Sequence, residues 1–434
     1  MTPIQAQALP FILNGHDLIG QAKTGSGKTA AFGLGLLSKL KPELYQVQSL
    51  VLCPTRELAD QVAKQLRKLV RTIPNIKVLT LCGGVPMGPQ ISSLESGAHI
   101  VVGTPGRIED HLRRGRLGLK QVSTLVLDEA DRMLEMGFQD TLDKIFEVLP
   151  NKRQSLLFSA TYPKEIQSIA KRIMHNPELV VVQSTHDDSS IQQHFYQIET
   201  KQERFDGAQR LLLKHKPQSA LIFCNTKREA QEVADQLKQA KFSVAALHGD
   251  LDQRDRDQTL IRFSNKSISV LVATDVAARG LDIDSVDAVI NYHVAQENEV
   301  HTHRIGRTGR AGSRGRAYSL FNAKEGYKIA QLGVYMDRDI HPETLPSEAL
   351  LKNLPDLAAM VTLKIDGGKK QKLRPGDILG ALTGEKGIPG ADVGKIDLAD
   401  NWAYVAVSRD RWKAALKKLT DGKLKGRSFR VRKL

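Results

Sequence analysis

The chain has 434 residues, 41% hydrophobic and 26% charged, with 63 Lys+Arg against 48 Asp+Glu. This composition excludes a disordered or collagen-like polymer, and no apolar run approaches the roughly 20 residues that cross a bilayer. The net charge of +15 points to a polyanionic partner, and the length suggests about three domains. Cys53, Cys82 and Cys224 are too scattered for a disulfide framework or a zinc site, and each lies in an apolar run, so buried thiols in a reducing cytoplasm are expected.

In chain order, short apolar runs at 18–22, 49–53, 77–82, 99–102, 124–128, 154–158 and 179–183 alternate with helix-period segments such as 29–40 and 56–70. The alternation predicts a parallel sheet covered by helices over residues 1–185. The polar stretch 184–190 reads as a linker. Strands at 220–224, 243–247, 269–273, 288–292 and 317–321, with a helix at 228–239, predict a second such unit over 191–340. A Pro-punctuated helical stretch is expected at 341–360. The remaining segment, 362–434, reads as strand (363–365), helix (375–382), strand (395–398), strand (402–407), helix (411–419) and strand (428–432). That β-α-β-β-α-β order is a split βαβ sandwich. This last segment holds 18 Lys/Arg against 8 Asp/Glu, so +10 of the +15 belongs to it.

The run from Ala22 to Thr29, Ala-Lys-Thr-Gly-Ser-Gly-Lys-Thr, follows a strand and opens a helix. Gly25 and Gly27 let backbone amides approach phosphate oxygens, and the helix N-terminus adds a favourable dipole. Lys28 is placed to reach the β- and γ-phosphates and Thr29 to ligate Mg²⁺. Ala22 stands where the phosphate-loop pattern has its first glycine. Asp128-Glu129-Ala130-Asp131 ends an apolar strand in acid; Asp128 suits the metal and Glu129 the attacking water.

With these residues the sequence resembles the DEAD-box RNA helicases. Asp-Glu-Ala-Asp at 128–131 is that family's name-giving motif, and the others stand in family order. In the first unit they are Thr2-Pro-Ile-Gln5, Pro54-Thr-Arg-Glu-Leu-Ala59, Gly83-Gly84, Thr104-Pro-Gly-Arg107 and Ser159-Ala-Thr161. In the second they are Phe223-Cys-Asn-Thr226, His248-Gly-Asp250, Gln253-x-x-Arg256, the run 273–282 and His303-Arg-Ile-Gly-Arg307-Thr-Gly-Arg310. The resemblance covers about residues 1–325 and implies two tandem RecA-like domains that close over ATP and RNA. It assigns adenine to Gln5 and the triphosphate to Thr24, Gly25, Ser26, Gly27, Lys28 and Thr29. It gives metal and water to Asp128 and Glu129, completion of the nucleotide site to Gly280 and Asp282, and the arginine-finger role to Arg307 and Arg310. Ser159, Thr161 and His303 would couple nucleotide to RNA. The RNA contacts implied are Pro54, Thr55, Arg56, Gly84, Thr104, Gly106 and Arg107, with Thr226, Gly249, Arg256 and Thr274 from the second unit. Hydroxyls, glycine amides and arginines suit phosphate and 2′-OH contacts rather than base reading.

Family members also carry a segment upstream of Gln5 with an adenine-stacking aromatic; the chain begins at Met1, so a truncated chain is the expectation. The stretches 363–370, 373–384 and 390–396 resemble the C-terminal domain of the bacterial DbpA-type DEAD-box helicases. That resemblance implies an RRM-like module that recognises a 23S rRNA hairpin and directs the enzyme to large-subunit assembly, in a cytoplasmic enzyme working as a monomer. From the residues alone, Trp402 and Tyr404 occupy the alternate strand positions that stack bases in RRMs, or are core. Two basic clusters, Lys369, Lys370, Lys372 and Arg374, and Lys423, Lys425, Arg427 and Arg430, are the firmer RNA candidates.

Overall fold

The computed structural model describes residues 1–22, 25–182, 191–278, 286–309 and 314–434. The chain separates into two compact units that divide near residue 187. Among the described residues the first unit holds one parallel sheet: β1 (Leu18–Gln21), β2 (Ser49–Leu52), β3 (Val78–Leu81), β4 (Ile100–Gly103), β5 (Thr124–Asp128), β6 (Gln154–Ser159) and β7 (Glu178–Val181). Their order across the sheet is β3-β4-β2-β5-β6-β1-β7. The strands β2, β4, β5 and β6 are buried at every position, which explains why they read as unbroken apolar runs rather than alternating ones. Helices cover both faces, giving two cores, one around Phe32, Leu66 and Phe158 and the other around Leu50, Leu127, Met133 and Ile145.

The second unit begins with another parallel sheet: β8 (Ile191–Gln197), β9 (Ala220–Cys224), β10 (Val244–Leu247), β11 (Val270–Thr274), β12 (Ala288–Asn291) and β13 (Gly315–Phe321). The order is β10-β11-β9-β12-β13-β8. The expected strands are present, and β8 is an addition that the sequence pattern concealed. It is an edge strand, Ile-Gln-Gln-His-Phe-Tyr-Gln, paired along its whole length with β13, and only Phe195 and Tyr196 are buried. Its two buried residues are adjacent, one on each face of the sheet, and polar residues fill the rest, so there is no apolar run to read.

The expectation of a helical stretch at 341–360 is corrected. The segment contains a single 3₁₀ turn, Glu348–Lys352, and a bridge from Glu343 to Tyr196. Its prolines remove backbone donors and restrict the residues before them, so no longer helix propagates.

The final segment of the second unit is a four-stranded antiparallel sheet of β14 (Met360–Ile365), β15 (Val393–Leu398), β16 (Ala403–Ser408) and β17 (Val431–Lys433) in the order β15-β16-β14-β17. Two helices, Pro375–Thr383 and Trp412–Asp421, cover the face that carries Val361, Leu363, Ile365, Val405 and Val407. This is the predicted split βαβ sandwich. All three cysteines are free and buried, and no described helix is long and apolar enough to cross a membrane.

Candidate nucleotide and RNA sites

Strand order sorts the candidate residues of the first unit into two groups. All neighbouring strands run parallel, so their C-terminal ends share one edge of the sheet, where ligands of open α/β folds bind. At one end of that edge, the loops after β5, β6 and β1 carry Asp128–Glu129, Ser159–Thr161 and the phosphate loop. At the other, the loops after β3, β4 and β2 carry Gly83–Gly84, Thr104–Arg107 and Pro54–Arg56. Thus the nucleotide candidates and the RNA candidates lie on adjacent halves of one sheet edge.

The phosphate loop turns into the helix Lys28–Lys39 through Gly27, which adopts φ +95° in the left-handed region. A Cβ there would lie 2.5 Å from Gln5 Nε2, so glycine is required twice over. Gln5 accepts from the Thr2 amide at 3.0 Å and donates to the Gly27 carbonyl at 3.2 Å. It therefore ties the first helix, Pro3–Leu13, to the phosphate loop. Lys28 is buried and its ammonium donates to the Ala22 carbonyl at 2.9 Å. Lys23 and the candidate Thr24 lie outside the described residues.

Asp128 closes β5 and is 3% exposed. Burial raises its carboxyl to about 6, opposed by Lys28 and reinforced by Glu129. Its Oδ1 is buried with no hydrogen-bond partner, as is Ser26 Oγ. A buried carboxylate oxygen without a donor is a poor resting place for negative charge in a folded chain. A hard divalent cation with oxygen ligands answers that need, so the residues present fit Mg²⁺. Glu129 sits at φ +55°, an unusual conformation for a residue with a Cβ and one that clusters at functional sites. Its carboxylate pairs with Arg132 at 2.9 Å, both side chains being about 95% buried.

Asp131, the last residue of the motif, bridges to the loop after β6. Its Oδ2 accepts from the amides of Ala160 and Thr161 and from Thr161 Oγ1, at 3.0–3.1 Å. Ser159 Oγ accepts from the Asp131 amide at 3.3 Å. Burial tends to raise this carboxyl, but the Thr161 and Ser159 bonds and Arg132 outweigh it and hold it below the ordinary range. The coupling candidates Ser159 and Thr161 are therefore bonded directly to the acidic motif.

On the RNA half, Thr55 caps the helix Arg56–Leu69 by accepting from the Leu58 amide at 3.3 Å. Gly84, at φ +74°, lies under the Arg56 guanidinium, and a Cβ there would sit 1.6 Å from Nη1. Gly106 is exposed with open space beside it. Both Arg107 terminal nitrogens donate to the Val85 carbonyl, at 3.2 and 3.1 Å. Arg107 thereby clamps the Gly83–Gly84 loop.

In the second unit, the order β10-β11-β9 sets Gly249, Thr274 and Thr226, which follow those strands, side by side. Thr226 caps the helix Lys227–Gln239 and accepts from the Glu229 amide at 3.2 Å. Thr274 ends β11, buried, and Arg256 lies in the helix Gln253–Ser264. His303 lies in the helix Asn298–Ile305, and Arg307 follows it, 4% exposed. Gly280, Asp282 and Arg310 lie outside the described residues. Sequence reasoning assigned no role to Arg304, yet it is a hub. It holds Asp275 by two 2.7 Å bonds, donates to the His293 carbonyl at 2.7 Å and reaches Asn225 at 3.2 Å. Its place inside the His-Arg-Ile-Gly-Arg motif was the available signal.

In the C-terminal module the two basic clusters come together. Lys425 Nζ donates to the Lys372 carbonyl at 2.7 Å and pairs with Asp377 at 3.3 Å. Lys369, Lys370, Lys372, Arg374, Lys423, Arg427 and Arg430 are all exposed around that junction. The open face of the sheet is a different matter. Tyr404, Lys364 and Thr362 are at most 2% exposed, because this face packs on the helix Gln253–Ser264 and the turn after it. Thr362 Oγ1 bonds to Asn265 at 2.9 Å and to Ser267 at 2.8 Å. The Arg254 guanidinium lies over the Trp402 ring at 5.3 Å and Lys364 Nζ over it at 4.7 Å. The aromatic pair is therefore interface, and the base-stacking alternative is corrected: cations of the chain occupy the ring that a base would need.

Comparison with known proteins agrees in each part of the chain. Residues 2–169 match the DEAD/DEAH box helicase family, 203–312 the helicase conserved C-terminal domain, and 362–433 the DbpA RNA binding domain. The ATP-dependent RNA helicase DbpA of Escherichia coli is 52% identical over 434 residues, covering all of this chain and 94% of that protein. The DEAD-box ATP-dependent RNA helicase CshA of Bacillus subtilis is 46% identical over 324 residues, which is 75% of this chain and 65% of that one. The solved structure of Saccharomyces cerevisiae Dbp5 bound to RNA and ADP BeF3 superposes with a TM-score of 0.71 at 32% identity, covering 82% of this chain and 94% of that one. The chain belongs to the DEAD-box ATP-dependent RNA helicases, to the DbpA type whose C-terminal module is an RNA-binding domain.

Proposed function

We propose that this helicase locally unwinds short rRNA duplexes while tethered to 23S rRNA through residues 362–434, and acts in assembly of the large ribosomal subunit. The reading includes a monomeric enzyme of the bacterial cytoplasm. The observation that carries the tether is the junction of the two basic clusters at Lys425 and Lys372, on a module whose sheet face is already covered. Exposed cations gathered at one place on a small domain neutralise several phosphates together, which makes binding strongly salt-dependent.

In this reading Gly25, Ser26, Gly27, Lys28 and Thr29 hold the triphosphate and Gln5 reads the adenine. Thr29 and Asp128 would hold Mg²⁺, which when bound neutralises charge on the phosphates. Glu129 orients the attacking water, and Arg307 and Arg310 neutralise the transferring phosphoryl group. Asp131 passes the state of the acidic motif to Ser159 and Thr161. RNA is held by Pro54, Thr55, Arg56, Gly84, Thr104, Gly106 and Arg107, and by Thr226, Gly249, Arg256 and Thr274. These donors grip the backbone, so selectivity falls to the C-terminal module.

The test compares ATP hydrolysis stimulated by 23S rRNA fragments, poly(A) and duplex DNA, for the full chain and for a chain lacking residues 362–434. The full chain should prefer the rRNA fragments, and the shortened chain should respond weakly and equally to rRNA and poly(A). A shortened chain that still prefers rRNA would remove the tether from this reading.

A further inference from the structure

The helix Met87–Glu95 buries a single residue, and that residue is a glutamine, Gln90, 7% exposed. A buried amide contributes little apolar packing, so its polar contacts carry its role. It makes three. Nε2 donates to the Cys82 carbonyl at 2.9 Å, and Oε1 accepts from Arg107 Nη1 at 3.1 Å and meets His111 Nε2 at 2.9 Å.

The chemistry fixes the direction of every bond. Arginine only donates and a carbonyl only accepts, so the amide has one possible orientation. His111 must then donate from Nε2, leaving Nδ1 an acceptor, and that atom is buried without a partner. Burial, with Arg107 beside it, pushes the His111 pKa down and keeps the ring in this neutral form. A buried acceptor left unsatisfied is a cost to the fold, tolerated here while the Gln90 arrangement is kept.

The three partners come from two segments: Cys82 precedes Gly83–Gly84 at the end of β3, while Arg107 and His111 lie on the helix Pro105–Arg113 after β4. Arg107 also holds the Val85 carbonyl on the far side of the same loop. We propose that Gln90, supported by His111, is a positioning residue for RNA: it locks the Gly83–Gly84 loop and Arg107 into one preformed surface for the RNA backbone. This rests on the reading of Gly84 and Arg107 as RNA contacts. Preorganisation of this kind lowers the ordering cost on binding, so its loss appears in RNA affinity rather than in nucleotide affinity.

The experiment measures RNA-stimulated ATP hydrolysis of the full chain against single-stranded RNA concentration. Gln90→Leu, of similar size, should raise the half-stimulating RNA concentration about tenfold, while KM for ATP at saturating RNA stays within about twofold. Gln90→Asn, too short to span the partners, should behave alike. Gln90→Glu, which keeps its acceptors for Arg107 and His111 but loses the donor to the Cys82 carbonyl, should recover only part of the RNA affinity, yet more than Gln90→Leu, the reverse of the ranking expected where burial alone matters. The double variant Gln90→Leu/Arg107→Met should be no weaker for RNA than Arg107→Met alone. Unchanged RNA affinity in Gln90→Leu and Gln90→Asn, or full additivity in the double variant, overturns the proposal. A wild-type chain without RNA stimulation would overturn the RNA reading itself, and the proposal with it.

Discussion

Replacing Glu325 by Gln tests the buried charge network beneath the Arg304 hub. Arg204, 3% exposed, pairs with Glu325 at 2.6 Å and donates to the carbonyls of Tyr292 and Leu320. His293 lies between two carboxylates, with Nε2 at 2.6 Å from Glu229 and Nδ1 at 3.4 Å from Glu325. Burial by itself would raise the Glu325 carboxyl, but bonds from His293, Arg204 and the Asn322 amide prevail and hold it at about 2, against an ordinary 4.5. That difference corresponds to about 3 kcal/mol of stability at neutral pH. Because the folded pKa is depressed, the contribution is complete above the unfolded value and is lost as pH falls toward the folded one. It is smaller by about a quarter at pH 4. His293 has the opposite sign: burial lowers its pKa, but its two carboxylate bonds raise it overall. Its contribution is therefore complete below the ordinary histidine pKa and fades as pH rises through the folded value. Glu325→Gln preserves shape and one acceptor but leaves the Arg204 cation buried without an anion, a loss of about 3 kcal/mol. Urea-dependent hydrogen exchange of amides in 288–321 should show that loss at pH 7 and a narrower gap from wild type at pH 4. Equal stabilities at pH 7, or a gap that widens on acidification, would refute the network argument.

Gly84→Ala should raise the half-stimulating RNA concentration about tenfold with KM for ATP unchanged, since the new Cβ meets Arg56 Nη1 at 1.6 Å on a backbone at φ +74°. Asp131→Asn, measured by RNA-stimulated ATP turnover, should lose about tenfold, because an amide cannot accept from Ala160, Thr161 and the Arg132 amide as the carboxylate does. Thr362→Val keeps the side-chain shape but strands Asn265 and Ser267 in a buried interface. Faster exchange of amides in 264–268, by about 1–3 kcal/mol of lost protection, should report it, with the catalytic turnover unaffected.

Most of the architecture was legible because buried parallel strands advertise themselves as short apolar runs. The phosphate loop and the acidic motif were legible because their chemistry needs particular residues at particular strand ends. What escaped was set by tertiary context. β8 hides because this edge strand buries only one side chain on each face and is otherwise largely polar. The prolines in 341–360 outweighed an apparent helical rhythm. Gln90 gave no sequence signal, since its value lies in three partners from two other segments that meet it only in the fold. Arg304 was visible as a motif letter, but its partners Asp275 and Asn225 follow other strands and meet it only in the folded sheet.

The covered sheet face of the C-terminal module changes what its charge means. An RRM that reads bases on its sheet has a specific platform and needs only modest electrostatic help. Here Tyr404 and Lys364 are buried, and Trp402 is flanked by Arg254 and Lys364. Docking on the helix Gln253–Ser264 has taken that platform out of use. RNA binding by this domain must then come from its remaining surface, where the exposed cations around the Lys372–Lys425 junction stand. The helix under the sheet also carries Arg256, a candidate RNA contact of the catalytic unit. A module seated on that helix is held at a fixed distance from the candidate RNA contacts after β9, β10 and β11. On the proposed reading, the same burial that removes a base-reading surface would fix the geometry of the tether, and the +10 on the module would supply the attraction that the lost platform does not.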